Sequence, residues 1–214
     1  ITHAPQPCFS MNPNVLTVVA IILVCGGVAD AQQKTSPVPP RQEFKVGAST
    51  AFVLLPPQKR EGPTPWVLYA PTLGKGLPGD AEKWMFERFL AAGIAIAGVD
   101  VGESYGSPKG RAIYDELYAM LVQDRGFDTK ACLLARSRGG LMLYGWAADN
   151  PDKVRCIAGI YPVCNIASYP GIAKACGAYG MTEAELAEKL AEHNPPDRLA
   201  ALAKAKVPIF HIHG

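Results

Sequence analysis

The stretch Ala131 to Gly140 leaves the chain few ways to fold. Ala131-Cys132-Leu133-Leu134-Ala135 runs without a spacer into Arg136-Ser137-Arg138-Gly139-Gly140, and Leu141 to Ala148 continues as an apolar, helix-like run. A strand that passes into a helix within a few residues must turn sharply, and small residues are needed two places before and two places after the turning residue. Ala135 and Gly139 occupy those places around Ser137. The turn then leaves the serine hydroxyl exposed at the strand end, with its backbone strained. Ala135 departs from the usual glycine by one methyl group.

The rest of the chain supplies the setting for such a turn. Glu43 to Val46, Ala51 to Leu55 and Trp66 to Ala70 read as strands, followed by a turn-rich loop from Pro71 to Asp80. Met85, Phe86, Phe89 and Leu90 share one face of a helix over Glu82 to Ala92, with Glu82, Lys83, Glu87 and Arg88 elsewhere and Gly93 as the stop. Ile94 to Val99 is a continuous apolar run of the kind found in a strand covered on both faces. Helical spacing returns over Ala112 to Val122, and Val154 to Ile160 and Val207 to Ile212 are further strands. Between those last two strands lies a helical insertion near 164–206. Thr182-Glu183-Ala184-Glu185 opens a helix there that runs to about Ala191, and Asn194-Pro195-Pro196 breaks it. Strands alternating with helices in this way predict an α/β fold with a mostly parallel sheet flanked by helices and joined by right-handed crossovers.

The 214 residues, 49% of them apolar, suit one domain with a substantial core. Net charge is +2 with basic and acidic residues interspersed, so no electrostatic footprint for nucleic acid is present. Met11 is the expected start. The apolar run Val15 to Val24 and the small-x-small site Ala29-Asp30-Ala31 read as a secretory signal peptide, Met11 to Ala31, cleaved before Gln32. A spanning anchor would need about 20 apolar residues, so an exported, periplasmic or extracellular protein with no stable membrane partner is expected. Residues 32–42 read as a flexible leader, and 43–214 as the folded domain. Cys132, Cys156, Cys164 and Cys176 fall in that domain without zinc-site spacing. Cys164 with Cys176 would close a short loop, whereas Cys132 and Cys156 lie in strand-like runs that suit buried thiols.

A serine hydroxyl attacks a carbonyl only when a base takes its proton and donors are already placed for the oxyanion. The Arg138 N–H, at the start of the helix, is one candidate donor. The second is expected from the loop after Trp66 to Ala70, at Leu73 or alternatively Thr72. A cation at a helix start is disfavoured by the helix dipole unless it is compensated, so Arg136 and Arg138 call for nearby carboxylates. Asp100 and Glu103, at and after the end of the preceding strand, lie on the same edge. Arg136, Asp100, Glu103 and Tyr105 are therefore expected around a substrate pocket, with Arg136 either in a structural ion pair or binding an acidic group of the substrate. His193 reads as structural. His211 and His213 share a strand face without an evident third ligand; no metal and no cofactor is expected.

Four segments together resemble the prolyl oligopeptidase-like and dienelactone hydrolase-like α/β-hydrolases, particularly secreted bacterial members. These are Gly98-Val99-Asp100-Val101-Gly102-Glu103-Ser104-Tyr105-Gly106, the Arg136 to Gly140 turn, Ile160-Tyr161-Pro162-Val163-Cys164-Asn165, and Val207-Pro208-Ile209-Phe210-His211-Ile212-His213-Gly214. The resemblance covers about Glu43 to Gly214. It implies a serine hydrolase acting through an acyl-enzyme on Ser137, with a small-molecule ester or short peptide as substrate. Carboxylesterase and peptidase both remain open, with a lean towards small esters, including acetylated or aromatic esters of plant carbohydrate. In such hydrolases the strand ending His-Gly is followed by the triad acid, and the catalytic His comes one strand later. Both are expected beyond Gly214, together with the sheet's last strand or strands, and the 214 residues alone are expected to be inactive. A non-catalytic exported binding protein using the same pocket is the alternative reading.

Overall fold

A computed structural model describes residues 40–58, 60–74 and 76–213. The signal peptide expected at Met11 to Ala31 and most of the expected leader lie outside the described residues.

Seven strands form one sheet in the order β1-β2-β4-β3-β5-β6-β7. They are β1 (Gln42–Val46), β2 (Ser49–Leu54), β3 (Trp66–Ala70), β4 (Ala95–Val99), β5 (Ala131–Arg136), β6 (Val154–Ile160) and β7 (Ile209–Ile212). β1 and β2 pair antiparallel, as do β2 and β4, and every pairing from β4 through β3, β5 and β6 to β7 is parallel. The expected mostly parallel sheet is therefore present. The first strand begins at Gln42, one residue inside the expected leader, because Gln42 already pairs with Val53.

Helices cover both faces, which is why β3 and β4 read as unbroken apolar runs. α1 (Asp80–Ala91) lies on one face, where the Phe86 ring meets the Tyr69 ring edge-on at 5.3 Å. α2 (Pro108–Ala119), α3 (Gly139–Asp149) and α7 (Leu199–Lys204) lie on the other. There Leu117, Met142, Leu143, Trp146 and Leu202 pack with Leu68, Ala97, Leu133 and Ala135. α2 starts four residues before the expected Ala112, because the Ser107 hydroxyl accepts from the Gly110 N–H and Pro108 opens the first turn. It continues into a π-helical turn over Met120–Asp124.

The insertion contains α4 (Ile172–Tyr179), α5 (Glu183–Glu188) and α6 (Leu190–His193). The expected capping box is formed: Thr182 Oγ1 accepts from the Glu185 N–H, and Glu185 Oε2 accepts from the Thr182 N–H at 2.7 Å. The single expected helix is interrupted at Lys189, giving two short ones. The buried Asn194 side chain accepts from the Ile166 N–H and donates to Asp197. Arg198 ties the end of the insertion to α3 through the Gly145 carbonyl and Asp149.

The four cysteines of the domain are free thiols. Cys164 and Cys176 are unbridged, each thiol facing a backbone carbonyl. Cys132 and Cys156 are buried register partners on adjacent strands.

Candidate active site

Near their ends β3, β5 and β6 carry small residues where they lie side by side. Ala70 on β3 is in register with Ala135 on β5, Ala135 with Gly159 on β6, and Gly159 with His211 on β7. A methyl group fits at Ala135 in this setting, which explains why the turn tolerates alanine before the serine.

Beyond β5 the chain turns as its sequence predicts. Ser137 has a φ of +49°, a left-handed conformation that residues other than Gly, Asn and Asp adopt rarely. Three backbone hydrogen bonds hold it there. Its N–H donates to the Ile160 carbonyl at 3.0 Å, and its own carbonyl accepts from Gly140 at 3.0 Å and Val163 at 2.8 Å. The strain is thus offset by bonds to the neighbouring strand end. The two glycines that follow are required by close approach. A Cβ on Gly139 would sit 2.2 Å from the Ala70 carbonyl oxygen, and one on Gly140 would sit 2.2 Å from that of Val163. The elbow is therefore pressed between the ends of β3 and β6.

Arg138 is the N-cap of α3, where backbone N–H groups lack intrahelical acceptors. Gly139 abuts Ala70 and Pro71, so the loop that carries Thr72 and Leu73 begins directly against the elbow. Thr72 is buried and pairs with Asp100 in an isolated bridge, while Leu73 beside it is partly exposed. The Asp100 carboxylate accepts from the Gly74 N–H at 2.7 Å and the Gly102 N–H at 2.8 Å. Oδ2 thus fastens the Thr72–Gly74 loop to the end of β4, while Oδ1 is taken by Gly102 in the segment that follows.

Both arginines of the turn have carboxylate partners. Glu103 pairs with Arg138, at an exposed position. The partner of Arg136 is Glu82, which the helical pattern sets off the apolar face of α1 but which is only 2% exposed. Glu82 also accepts from the Tyr69 hydroxyl and the Gly79 N–H, both at 2.8 Å. Burial by itself would raise the Glu82 carboxyl, but the Gly79 N–H, the Tyr69 hydroxyl and the Arg136 cation outweigh it and hold it below the usual carboxylate value. Arg136 Nε donates to the Tyr161 hydroxyl at 2.7 Å, and that bond and Glu82 keep the guanidinium firmly charged. Tyr161 has a φ of +36° and is 46% exposed. Neither Glu82 nor Tyr161 was singled out by sequence; the one available signal was the need of Arg136 for a counter-charge.

Tyr105 also has a positive φ, but it is buried against Leu141, Ile166 and Tyr179, and its carbonyl accepts from the Tyr179 hydroxyl. Its ring belongs to the packing between the β4 loop and the insertion. His193 packs on the Tyr179 ring at 5.0 Å, and its two ring nitrogens find no partner among the described residues. Burial lowers its pKa. His211 meets the Tyr144 hydroxyl on α3 through Nε2, and burial followed by the charge of His213 lowers its pKa. That ring nitrogen is therefore already engaged.

No family model and no curated protein sequence matches the chain. Solved structures resemble it at low identity. An S-formylglutathione hydrolase from Agrobacterium tumefaciens is 16% identical with a TM-score of 0.62, the match covering 85% of this chain and 88% of that one. Mycobacterium tuberculosis MPT51 (FbpC1) is 14% identical with a TM-score of 0.59, over 80% and 73%. An acylaminoacyl peptidase from Pyrococcus horikoshii is 16% identical with a TM-score of 0.55, over 81% of this chain and 36% of the peptidase. The chain thus spans most of the first and about a third of the last.

Proposed function

For a chain of α/β-hydrolase fold, we propose that the protein is a serine hydrolase cleaving an ester or amide bond by acyl transfer, with Ser137 as nucleophile. The observation that carries this is the left-handed Ser137 at a strand–helix junction, closed in by two glycines that no larger residue can replace without moving backbone.

In the proposed reaction Ser137 Oγ gives its proton to a base and bonds to the substrate's carbonyl carbon. The negative charge passes to the carbonyl oxygen, which the Arg138 N–H and the N–H of Leu73, or alternatively Thr72, stabilise. Collapse expels the protonated alcohol or amine and leaves an acyl-serine, which water hydrolyses. The same proposal takes the acid and base of the triad to follow the His211-Ile212-His213-Gly214 strand, as the family resemblance implies, and export to depend on the Met11–Ala31 signal. The substrate class is a small-molecule ester or a short peptide.

Labelling of the complete gene product with a fluorophosphonate tests this reading. An adduct on Ser137, absent in Ser137→Ala, is expected, together with hydrolysis of p-nitrophenyl acetate or an aminoacyl p-nitroanilide. A folded protein that takes up no label would favour a non-catalytic binding protein.

Arg136 bears on specificity. Because Glu82 meets its charge, we propose a structural role in place of recognition of an acidic substrate group. Arg136→Ala is expected to lower kcat/KM by about the same factor for neutral and for acidic esters. A selective loss on acidic esters would restore the recognition role.

A further inference from the structure

We propose that Glu82 is a positioning residue that sets the oxyanion loop against the Ser137 elbow; this rests on the hydrolase reading above. The two oxygens of this one carboxylate receive donors from three separate segments. The Tyr69 hydroxyl comes from the end of β3, one residue before Ala70 and the start of the loop. The Gly79 N–H comes from the residue at which the loop ends and α1 begins. The Arg136 guanidinium comes from the last residue of β5, next to Ser137. Glu82 therefore brackets the loop at both ends and joins it to the nucleophile's own neighbour. Through Arg136 the same connection reaches Tyr161, just beyond β6.

The chemistry of the group suits this role. A carboxylate removed from water is costly unless its lone pairs are filled and its charge is met. All three donors here serve that end, and with them the carboxyl stays ionised in spite of burial. A pair whose members each lose heavily without the other holds a single geometry, while oxyanion donors act only over a narrow distance range. A displacement of about 1 Å costs on the order of 100-fold in rate. A residue outside the reacting atoms can thus govern the rate by fixing the loop-to-elbow spacing.

Glu82→Gln keeps the size and the acceptor but removes the charge that holds Arg136. In the complete gene product, we expect kcat to fall about 100-fold, with KM within about threefold. Amide exchange separates positioning from general support and does not depend on turnover. Gly74 and Gly76 in the loop, and Gly140 and Val163 at the elbow, are hydrogen-bonded amides. They are expected to exchange at least about tenfold faster in the variant, while Phe127 and Ile157, bonded elsewhere in the sheet region, are unchanged.

A pH titration adds a second signature. The Glu82 carboxyl sits below its usual value, so its contribution is present at neutral pH and is lost as pH falls through that depressed value. The groups facing it are Tyr69 and Arg136, and neither changes charge in that acid range. The Gly79 amide signal is expected to titrate there in the native protein and to stay flat in Glu82→Gln.

Unchanged exchange at all four amides would overturn the proposal, as would uniform acceleration that included Phe127 and Ile157. If Glu82→Gln does not fold, Tyr69→Phe removes one donor and retains the ring; it is expected to raise exchange at the same four amides about threefold, and no change there would equally overturn the proposal. If the native protein shows no Ser137-dependent turnover, the hydrolase reading falls, while the exchange result still decides the role of Glu82.

Discussion

Ser137→Gly is expected to stabilise the protein while abolishing its turnover. A left-handed non-glycine residue stores about 1–3 kcal/mol of strain, and at +49° Ser137 is such a residue. Glycine releases that strain. Its greater freedom in the unfolded chain takes back roughly 0.4–1 kcal/mol, leaving a net gain on the order of 1 kcal/mol. The three backbone bonds at this position do not involve the hydroxyl and survive the change. Alanine keeps the strain, so Ser137→Ala is expected to fall within about 0.5 kcal/mol of the native protein. On the proposed acyl-transfer mechanism both variants are expected to lose turnover by a factor of roughly 10⁴ or more, because nothing replaces the Ser137 hydroxyl. Urea midpoints and p-nitrophenyl acetate hydrolysis measure the two halves. A glycine variant less stable than the alanine variant would show that the turn carries no strain.

Gly139→Ala is expected to be far more damaging than its one added methyl suggests. The new Cβ would lie 2.2 Å from the Ala70 oxygen, 2.4 Å from its carbonyl carbon and 2.7 Å from the Pro71 nitrogen, all of them backbone atoms. A flexible side chain could swing aside, but the end of a strand paired with β5 through Ala70 and Ala135 cannot. Overpacking costs typically about 1–3 kcal/mol, and the upper end applies here. Gly140→Ala, with its 2.2 Å approach to the Val163 oxygen, belongs with it. Gly177→Ala in α4 is the control, since nothing lies within 4 Å of its Cβ and its backbone is helical. It is expected to gain about 0.5–1 kcal/mol from helix preference. Similar midpoints for Gly139→Ala and the native protein would mean that β3 and the elbow can separate without loss.

What could be read in advance follows the range of the forces involved. The strand, turn and helix around Ser137 are local: an apolar run, small flanking residues and a second apolar run sit within twenty residues of sequence. The box at Thr182 is equally local, and it formed as its spacing requires. α2 starts ahead of its apolar periodicity, which begins only at Ile113, because Ser107-Pro108 carries a start signal of its own. Glu82 shows where local patterns stop. On an amphipathic helix a glutamate is counted as facing water, whereas the Tyr69 hydroxyl, the Gly79 N–H and a cation 54 residues away together hold this one inward. The helix dipole requires counter-charges for the two arginines, and the acids on the same sheet edge are Glu103, which meets Arg138, and Asp100, which is taken up by two backbone N–H groups. No neighbouring residues distinguish those acids from Glu82.

The clasp formed by Asp100 also says something about the order in which the molecule can assemble. Asp100 grips Gly74 across 26 residues, and Glu82 waits for Arg136 across 54. Contacts so distant along the chain form after local helices and turns, because loop closure must come first. The loop after β3 can settle only once β4 has joined the sheet, and its link to the elbow only once β5 has docked against β3. The arrangement around Ser137 is thus a late product of folding, and a chain still being synthesised carries the serine long before it carries the geometry that surrounds it.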